Sequence, residues 1–185
     1  MPNKTIYISA GHSDSDPGAV AIHDGVEYHE ETLVANFRNK LVEYLKSKDG
    51  LDVFSDGTGA VNKDRNVAIN EAKKVNGPRI DIHMNASENP AAHGTEVISN
   101  PVKRKISQDI ARIIADSLGN RLRGTAGWID QSQSKRGKLA WINTLDGILI
   151  ELCFISNKSE LQRFFQNEDK LVKTLGDYLY NYAMK

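Results

Sequence analysis

The sequence predicts an α/β domain: a mostly parallel, twisted sheet with helices on both faces. Short apolar runs alternate along the chain with longer segments of helical periodicity, the order expected of strands joined by helical crossovers. One run, Gly147 to Ile155, is apolar almost without a break, as a strand covered on both faces should be. A length of 185 residues suits one domain with a full core, so a single domain is expected over 1–185, with little room for a second folded module.

The elements follow in order. Ile6-Tyr7-Ile8-Ser9-Ala10 marks a strand at 4–10. Leu33, Phe37, Leu41 and Leu45, with Val34 and Tyr44, form a core stripe at helical spacing and predict a helix over 30–48, with Gly50 as its stop. A strand at 51–55 and a helix at 62–75 come next. Ile80-Asp81-Ile82 opens a strand at 79–84 that runs into His83-Met84-Asn85. After a strand at 95–99, Ile106, Ile110, Ile113, Ile114 and Leu118 give a helix over 103–118. The last strand is 147–153. Two helices, 158–165 and 168–183, end the chain, the second carrying Leu171, Leu175, Tyr178, Leu179 and Tyr182. Two polar stretches, Ser13 to Asp24 and Arg121 to Lys138, read as loops. Loops of that length in a compact domain are often functional.

Composition excludes several function classes. The 24 basic and 24 acidic side chains balance, which argues against non-specific nucleic-acid binding. No stretch approaches the ~20 apolar residues of a membrane span. The N-terminal residues lack a signal-peptide h-region, so synthesis in the cytoplasm without a Sec signal is expected. Cys153 is the only cysteine. It cannot form an internal disulfide, it rules out cysteine-ligated zinc in this chain, and its apolar neighbours mark it as core.

Glu151 is the anomaly. It stands inside Gly147-Ile148-Leu149-Ile150-Glu151-Leu152-Cys153-Phe154-Ile155, where an ionised carboxylate is costly unless a cation or metal compensates it. His12 follows the first strand and His83 lies near the end of a central one. Open α/β sheets bind ligands outside the carboxyl ends of their strands. If these three strands are parallel and adjacent, the two histidines and Glu151 share one crevice. Catalytic zinc takes three protein ligands, and nitrogen and carboxylate oxygen are suitable donors. His12 and His83 supply two. The third ligand, a carboxylate, should come from near the start of the first helix, where Glu27, Glu30 and Glu31 compete. Glu30 lies three residues before Leu33 and seven before Phe37, on the sheet-facing side; Glu31 would sit about 100° round the helix. Glu30 is preferred and Glu31 stays open. Glu151 is then left to act as general base toward water. His23, His29 and His93 end no apolar strand and read as ordinary histidines. No G-x-S-x-G, P-loop or H-E-x-x-H motif competes.

Five motifs occur in order: Ala10-Gly11-His12, Asp16-Pro17-Gly18-Ala19, Asp81-Ile82-His83-Met84-Asn85-Ala86, Gly94-Thr95-Glu96-Val97 and Ile150-Glu151-Leu152-Cys153-Phe154-Ile155-Ser156-Asn157. Together they resemble the zinc-dependent N-acetylmuramoyl-L-alanine amidases of the amidase-3 type, a group of phage endolysins and bacterial cell-wall hydrolases. The resemblance runs from about residue 4 to residue 183. It implies a phosphorylase/hydrolase-like fold, one Zn2+ per chain, and cleavage of the amide between N-acetylmuramic acid and L-alanine of the peptidoglycan stem peptide. It places metal ligands on His12, on His83 and within Glu27 to Glu31, and the catalytic glutamate on Glu151. The loop after His12, Ser13-Asp14-Ser15-Asp16, departs from the commoner glycine-rich form.

Asn85 is a candidate substrate-binding residue, with a strand-end turn as its alternative. Glu96 reads as a surface carboxylate. Arg65 and Lys138 are candidate contacts to an anionic stem peptide. The alternatives to an amidase are a metallopeptidase or carboxypeptidase acting on wall peptides, and an inactive wall-binding module. A monomer acting on the cell wall is expected, with no separate cell-wall-binding domain and with neither nucleic acid nor membrane as partner; release through a phage-type membrane lesion would fit the missing export signal.

Overall fold

The computed structural model describes residues 2–134 and 137–185. Met1, and Lys135 and Arg136 of the predicted 121–138 loop, lie outside the described residues. The elements are β1 (Lys4–Ala10), β2 (Val20–His23), β3 (Val26–His29), α1 (Glu30–Lys46), β4 (Leu51–Ser55), α2 (Arg65–Ala72), β5 (Arg79–Asn85), β6 (Glu96–Ser99), α3 (Arg104–Leu118), β7 (Trp128–Asp130), α4 (Ala140–Leu145), β8 (Ile148–Phe154) and α5 (Lys158–Ala183).

Six strands form one sheet of order β4-β1-β5-β8-β6-β7, and β2 and β3 form a separate hairpin. The four strands β4, β1, β5 and β8 are parallel neighbours. β6 runs antiparallel to β8, and β7 parallel to β6. The sheet is therefore mostly parallel, and β1, which leads into His12, β5, which carries His83, and β8, which carries Glu151, are adjacent and point the same way.

Alternation along β1 explains the helices on both faces. Ile6 and Ile8 join the main core with Phe37, Leu41, Ile110, Ile114, Phe164, Leu171 and Leu175, from α1, α3 and α5. Tyr7 faces the other way, into a smaller cluster with Ala68, Ile69, Ala72, Trp141 and Leu145, from α2 and α4. Cys153 is fully buried in the main core.

Several elements differ from expectation. The Ser13–Asp24 stretch is not all loop: its end forms a hairpin with Val26–His29, turning at Asp24 and Gly25 with φ of 53° and 80°. Two successive positive φ values are those of a two-residue hairpin turn, for which Asp-Gly is a favoured pair. β7 and α4, of three and six residues, are too short to display a period. α2 starts later than expected, at Arg65, because Asp64 caps it through the backbone N–H of Asn66. The two C-terminal helices are one. Neither Gly nor Pro separates 165 from 168, and Asn167 stays inside the helix with its amide donating to the Arg163 carbonyl at 2.9 Å. No described helix is long and apolar enough to cross a membrane.

Candidate active site

β1 ends in Gly11-His12. Gly11 continues the ladder, its N–H donating to the Ile82 carbonyl at 2.7 Å. A Cβ at Gly11 would fall 2.2 Å from the His83 ring, so the close approach of β1 to that imidazole requires glycine. His12 then turns the chain with φ of 70°, a conformation uncommon for a side-chain-bearing residue and concentrated at functional sites. A buried network beneath holds this turn. Asp56 accepts from Ser9 Oγ at 2.8 Å and from the Ala10 N–H at 3.1 Å, and pairs with the fully buried Arg38. Asn62 donates its amide to the Gly11 carbonyl at 3.1 Å.

The hairpin delivers Glu30 as the first residue of α1. Its backbone N–H reaches the Ala19 carbonyl at 2.8 Å, and its buried carboxylate accepts from the N–H groups of Ala19 (2.9 Å) and Met84 (3.0 Å). His12 Nε2 lies 3.0 Å from Glu30 Oε2, and His83 Nδ1 lies 3.0 Å from Glu30 Oε1. The three residues present donor atoms that all lie within 4.8 Å of one another. Glu27 instead pairs with His29 on the exposed hairpin, and Glu31 accepts from Thr32 Oγ1. Among the three competing carboxylates, Glu30 is the one brought to the histidines.

The far nitrogen of each imidazole meets another carboxylate. His12 Nδ1 is 3.1 Å from Asp16, and His83 Nε2 is 3.1 Å from Asp81. Burial favours the neutral form of both rings, but hydrogen bonds and charge from Glu30, Asp16 and Asp81 outweigh it and raise both pKa values. Burial would likewise raise Glu30, yet hydrogen bonds from His12 and His83 hold it well below the usual carboxylate range. Two imidazoles and a carboxylate converging on one point, each imidazole braced from behind, fit a zinc-type cation. Space agrees: a Cβ at Gly18 would fall 2.6 Å from the His12 ring and 2.8 Å from Glu30 Oε2.

Glu151 is the cross-strand partner of His83 on one side and of Glu96 on the other. Burial pushes its carboxyl up to about 8, with His83 opposing and Glu30, Glu96 and Asp81 reinforcing. Its Oε2 is buried with no hydrogen-bond partner among the described residues. His12, Glu30, His83, Asn85 and Glu151 all line one cleft of about 660 Å³, with Ile98, Ile129, Leu139 and Leu149 as an apolar wall.

One reading changes. Glu96 is not a surface carboxylate: it is 7% exposed and accepts from Asn85 Nδ2 at 2.9 Å and from Arg123 Nε at 2.5 Å. It appears polar and terminal in sequence, but β6 runs antiparallel and brings its first residue to the carboxyl ends of the parallel strands. Asn85 lines the cleft with its amide nitrogen engaged by Glu96 and its oxygen by the Ala86 N–H. Arg65 borders a neighbouring pocket of about 210 Å³ beside His12 and His83, and Lys138 lines neither cavity. Arg123, Asp16 and Asp81 were not singled out as site residues. The Gly-Thr-Glu-Val motif pointed only to Glu96; an arginine within a polar loop carries no local signal of the carboxylate it will meet.

The family model described as N-acetylmuramoyl-L-alanine amidase matches residues 6–177. The chain is 24% identical over 189 residues to N-acetylmuramoyl-L-alanine amidase LytC of Bacillus subtilis, covering 97% of this chain and 35% of that protein. It thus spans about a third of that curated relative's length. Among solved structures, a Neisseria meningitidis protein assigned as an N-acetylmuramoyl-L-alanine amidase superposes with a TM-score of 0.80 at 30% identity, covering 95% of this chain and 93% of that one. The catalytic domain of CwlV, an N-acetylmuramoyl-L-alanine amidase of Paenibacillus polymyxa, superposes with a TM-score of 0.77 at 24% identity, covering 97% of each chain. With a match across 6–177 and a fold shared over nearly its full length, the chain belongs to the Amidase_3 family, the N-acetylmuramoyl-L-alanine amidases.

Proposed function

We propose that the chain is a zinc-dependent peptidoglycan amidase that hydrolyses the amide between N-acetylmuramic acid and L-alanine of the stem peptide. The observation that carries this reading is the convergence of His12, Glu30 and His83 beside the half-buried Glu151, one oxygen of which is buried and unpartnered among the described residues, in one open cleft. Family membership supplies the substrate class. His12, Glu30 and His83 would hold one zinc per chain. Zinc there supplies Lewis-acid polarisation of the amide carbonyl and acidifies the attacking water.

Glu151 does the proton work. It accepts a proton from water as the carbon–oxygen bond forms, then hands it to the amide nitrogen as the carbon–nitrogen bond breaks. Its unpartnered oxygen leaves it free to hold that proton between the two steps. Asp16 and Asp81 brace the ligand imidazoles, and Asn85 braces Glu96 at the cleft floor. The protein acts on the cell wall as a monomer.

Purified wall digested by the zinc-loaded protein should yield free L-alanine amino termini in mass spectra, in a 1:1 zinc-to-chain complex. Glu151→Gln should lower turnover by about 100- to 10,000-fold with zinc content unchanged. Peptide-bond products in place of L-alanine termini would make the protein a peptidase; undiminished turnover in the variant would remove Glu151 from the mechanism.

A further inference from the structure

His83, Glu151 and Glu96 are successive cross-strand partners on β5, β8 and β6, so they form a row across the carboxyl end of the parallel strands. Neighbouring strands lie ~4.8 Å apart, which sets Glu96 about 10 Å from His83. Arg123 stands next to Glu96. The two facing glutamates have opposite surroundings. Both oxygens of Glu96 are engaged, one by Asn85 and one by Arg123 Nε, whereas Glu151 keeps one oxygen unpartnered. Glu96 is thus a holder of neighbouring groups, and what it holds is a guanidinium.

Arg123 is fixed on several sides. Glu96 takes its Nε at 2.5 Å, and its guanidinium carbon lies 4.8 Å from the centre of the Phe154 ring. Its backbone N–H donates to the Thr95 carbonyl at 3.0 Å, and its carbonyl accepts from the Gly127 N–H at 2.8 Å. Gly94 makes room for it, since a Cβ there would fall 2.7 Å from its Cγ. The terminal fork is far less committed. Nη1 makes one long contact, 3.4 Å to the His93 carbonyl, and Nη2 makes no hydrogen bond among the described residues. The side chain is 30% exposed.

Charge completes the case. Among the described residues lining the cleft, Arg123 is the one arginine or lysine, against the carboxylates Asp16, Glu30, Glu96 and Glu151. A preorganised guanidinium fork is the geometry that recognises a carboxylate with two parallel N–H donors. Resting on the amidase reading, we propose that Arg123 binds the free carboxylate of the second stem residue, making the cleft selective for acidic over amidated stem peptides. An extended peptide advances ~3.5 Å per residue, so two residues beyond the scissile amide cover about 7 Å. A carboxylate on the second residue extends that reach toward the ~10 Å that separates His83 from Glu96, beside which Arg123 stands.

The test is steady-state kinetics of the zinc-loaded protein on N-acetylmuramoyl-L-alanyl-D-glutamate and on its D-isoglutamine counterpart, which differ by one carboxylate against one amide. The wild type should favour the acid by about 10- to 100-fold in kcat/KM, chiefly through KM. Arg123→Gln should abolish that preference, the loss falling on the acid and chiefly on its KM. Arg123→Lys keeps the charge, loses the fork, and should retain only part of the preference; it decides the matter if the glutamine variant does not fold. Equal cleavage of both compounds by the wild type, or an undiminished preference in either folded variant, overturns the assignment of Arg123 alone. Cleavage of neither compound by the wild type overturns the amidase reading, and this inference with it.

Discussion

Asp81 accepts from His83 Nε2 through one oxygen, while its other oxygen is buried with no partner among the described residues. A buried carboxylate left half-satisfied is costly, and it persists here directly behind a candidate metal ligand. Its effect is to fix the imidazole so that Nδ1 faces Glu30, and to raise the basicity of that nitrogen. Asp81→Asn should therefore weaken zinc binding by about 10- to 100-fold, read by competition with a chromophoric chelator and independently of turnover. Unchanged affinity would reduce Asp81 to a bystander. The same scale separates Glu151 from Glu96. They share a cross-strand pairing, and only the partners around each oxygen distinguish a carboxylate with an open oxygen from one tied to an arginine.

At the scale of elements, the close contact of β1 with β5 is the most exacting feature. Gly11→Ala would drive a methyl group into the His83 ring, and the ring must rotate out of the cluster. The expected outcome is a folded protein with zinc affinity reduced at least tenfold; calorimetric titration showing wild-type affinity would contradict this packing. A second prediction concerns α5, read from its periodicity as two helices and found as one of 26 residues. If Asn167 lies in a helix interior, Asn167→Pro removes a helical hydrogen bond and should cost about 3 kcal/mol or more in denaturant unfolding. Were the chain broken at 166–167, proline would be tolerated there. Apolar stripes on either side of a polar stretch establish two faces, but they do not establish an interruption.

For the whole molecule, the candidate ligands come from three separated segments: the end of β1, the start of α1 and the end of β5. A cation joining them binds the native state and not the unfolded chain, so it stabilises the assembly by mass action. Zinc at 1,000 times its dissociation constant should add about 4 kcal/mol, lost on chelation and restored by zinc. A melting temperature indifferent to zinc and chelator would argue that these residues hold no metal. The sheet itself was legible beforehand. Glu151 in an apolar run, and His12 and His83 at the ends of others, are visible because a polar residue in such a run conflicts with its surroundings. The β2–β3 hairpin was less legible: its Asp-Gly turn was present, but a polar approach concealed the short strands. Arg123, Asp81 and Glu96 were legible only as residue types. By itself the sequence determined the parallel α/β class, the buried core stripes and the candidates for a cation site, because periodicity and burial are properties of local patterns. Only the tertiary structure decided that Glu30 and not Glu31 meets the histidines, that an antiparallel strand brings Glu96 to the cleft, and that Arg123 stands beside it. Those depend on strand order and direction across long sequence separations, and a local pattern carries neither.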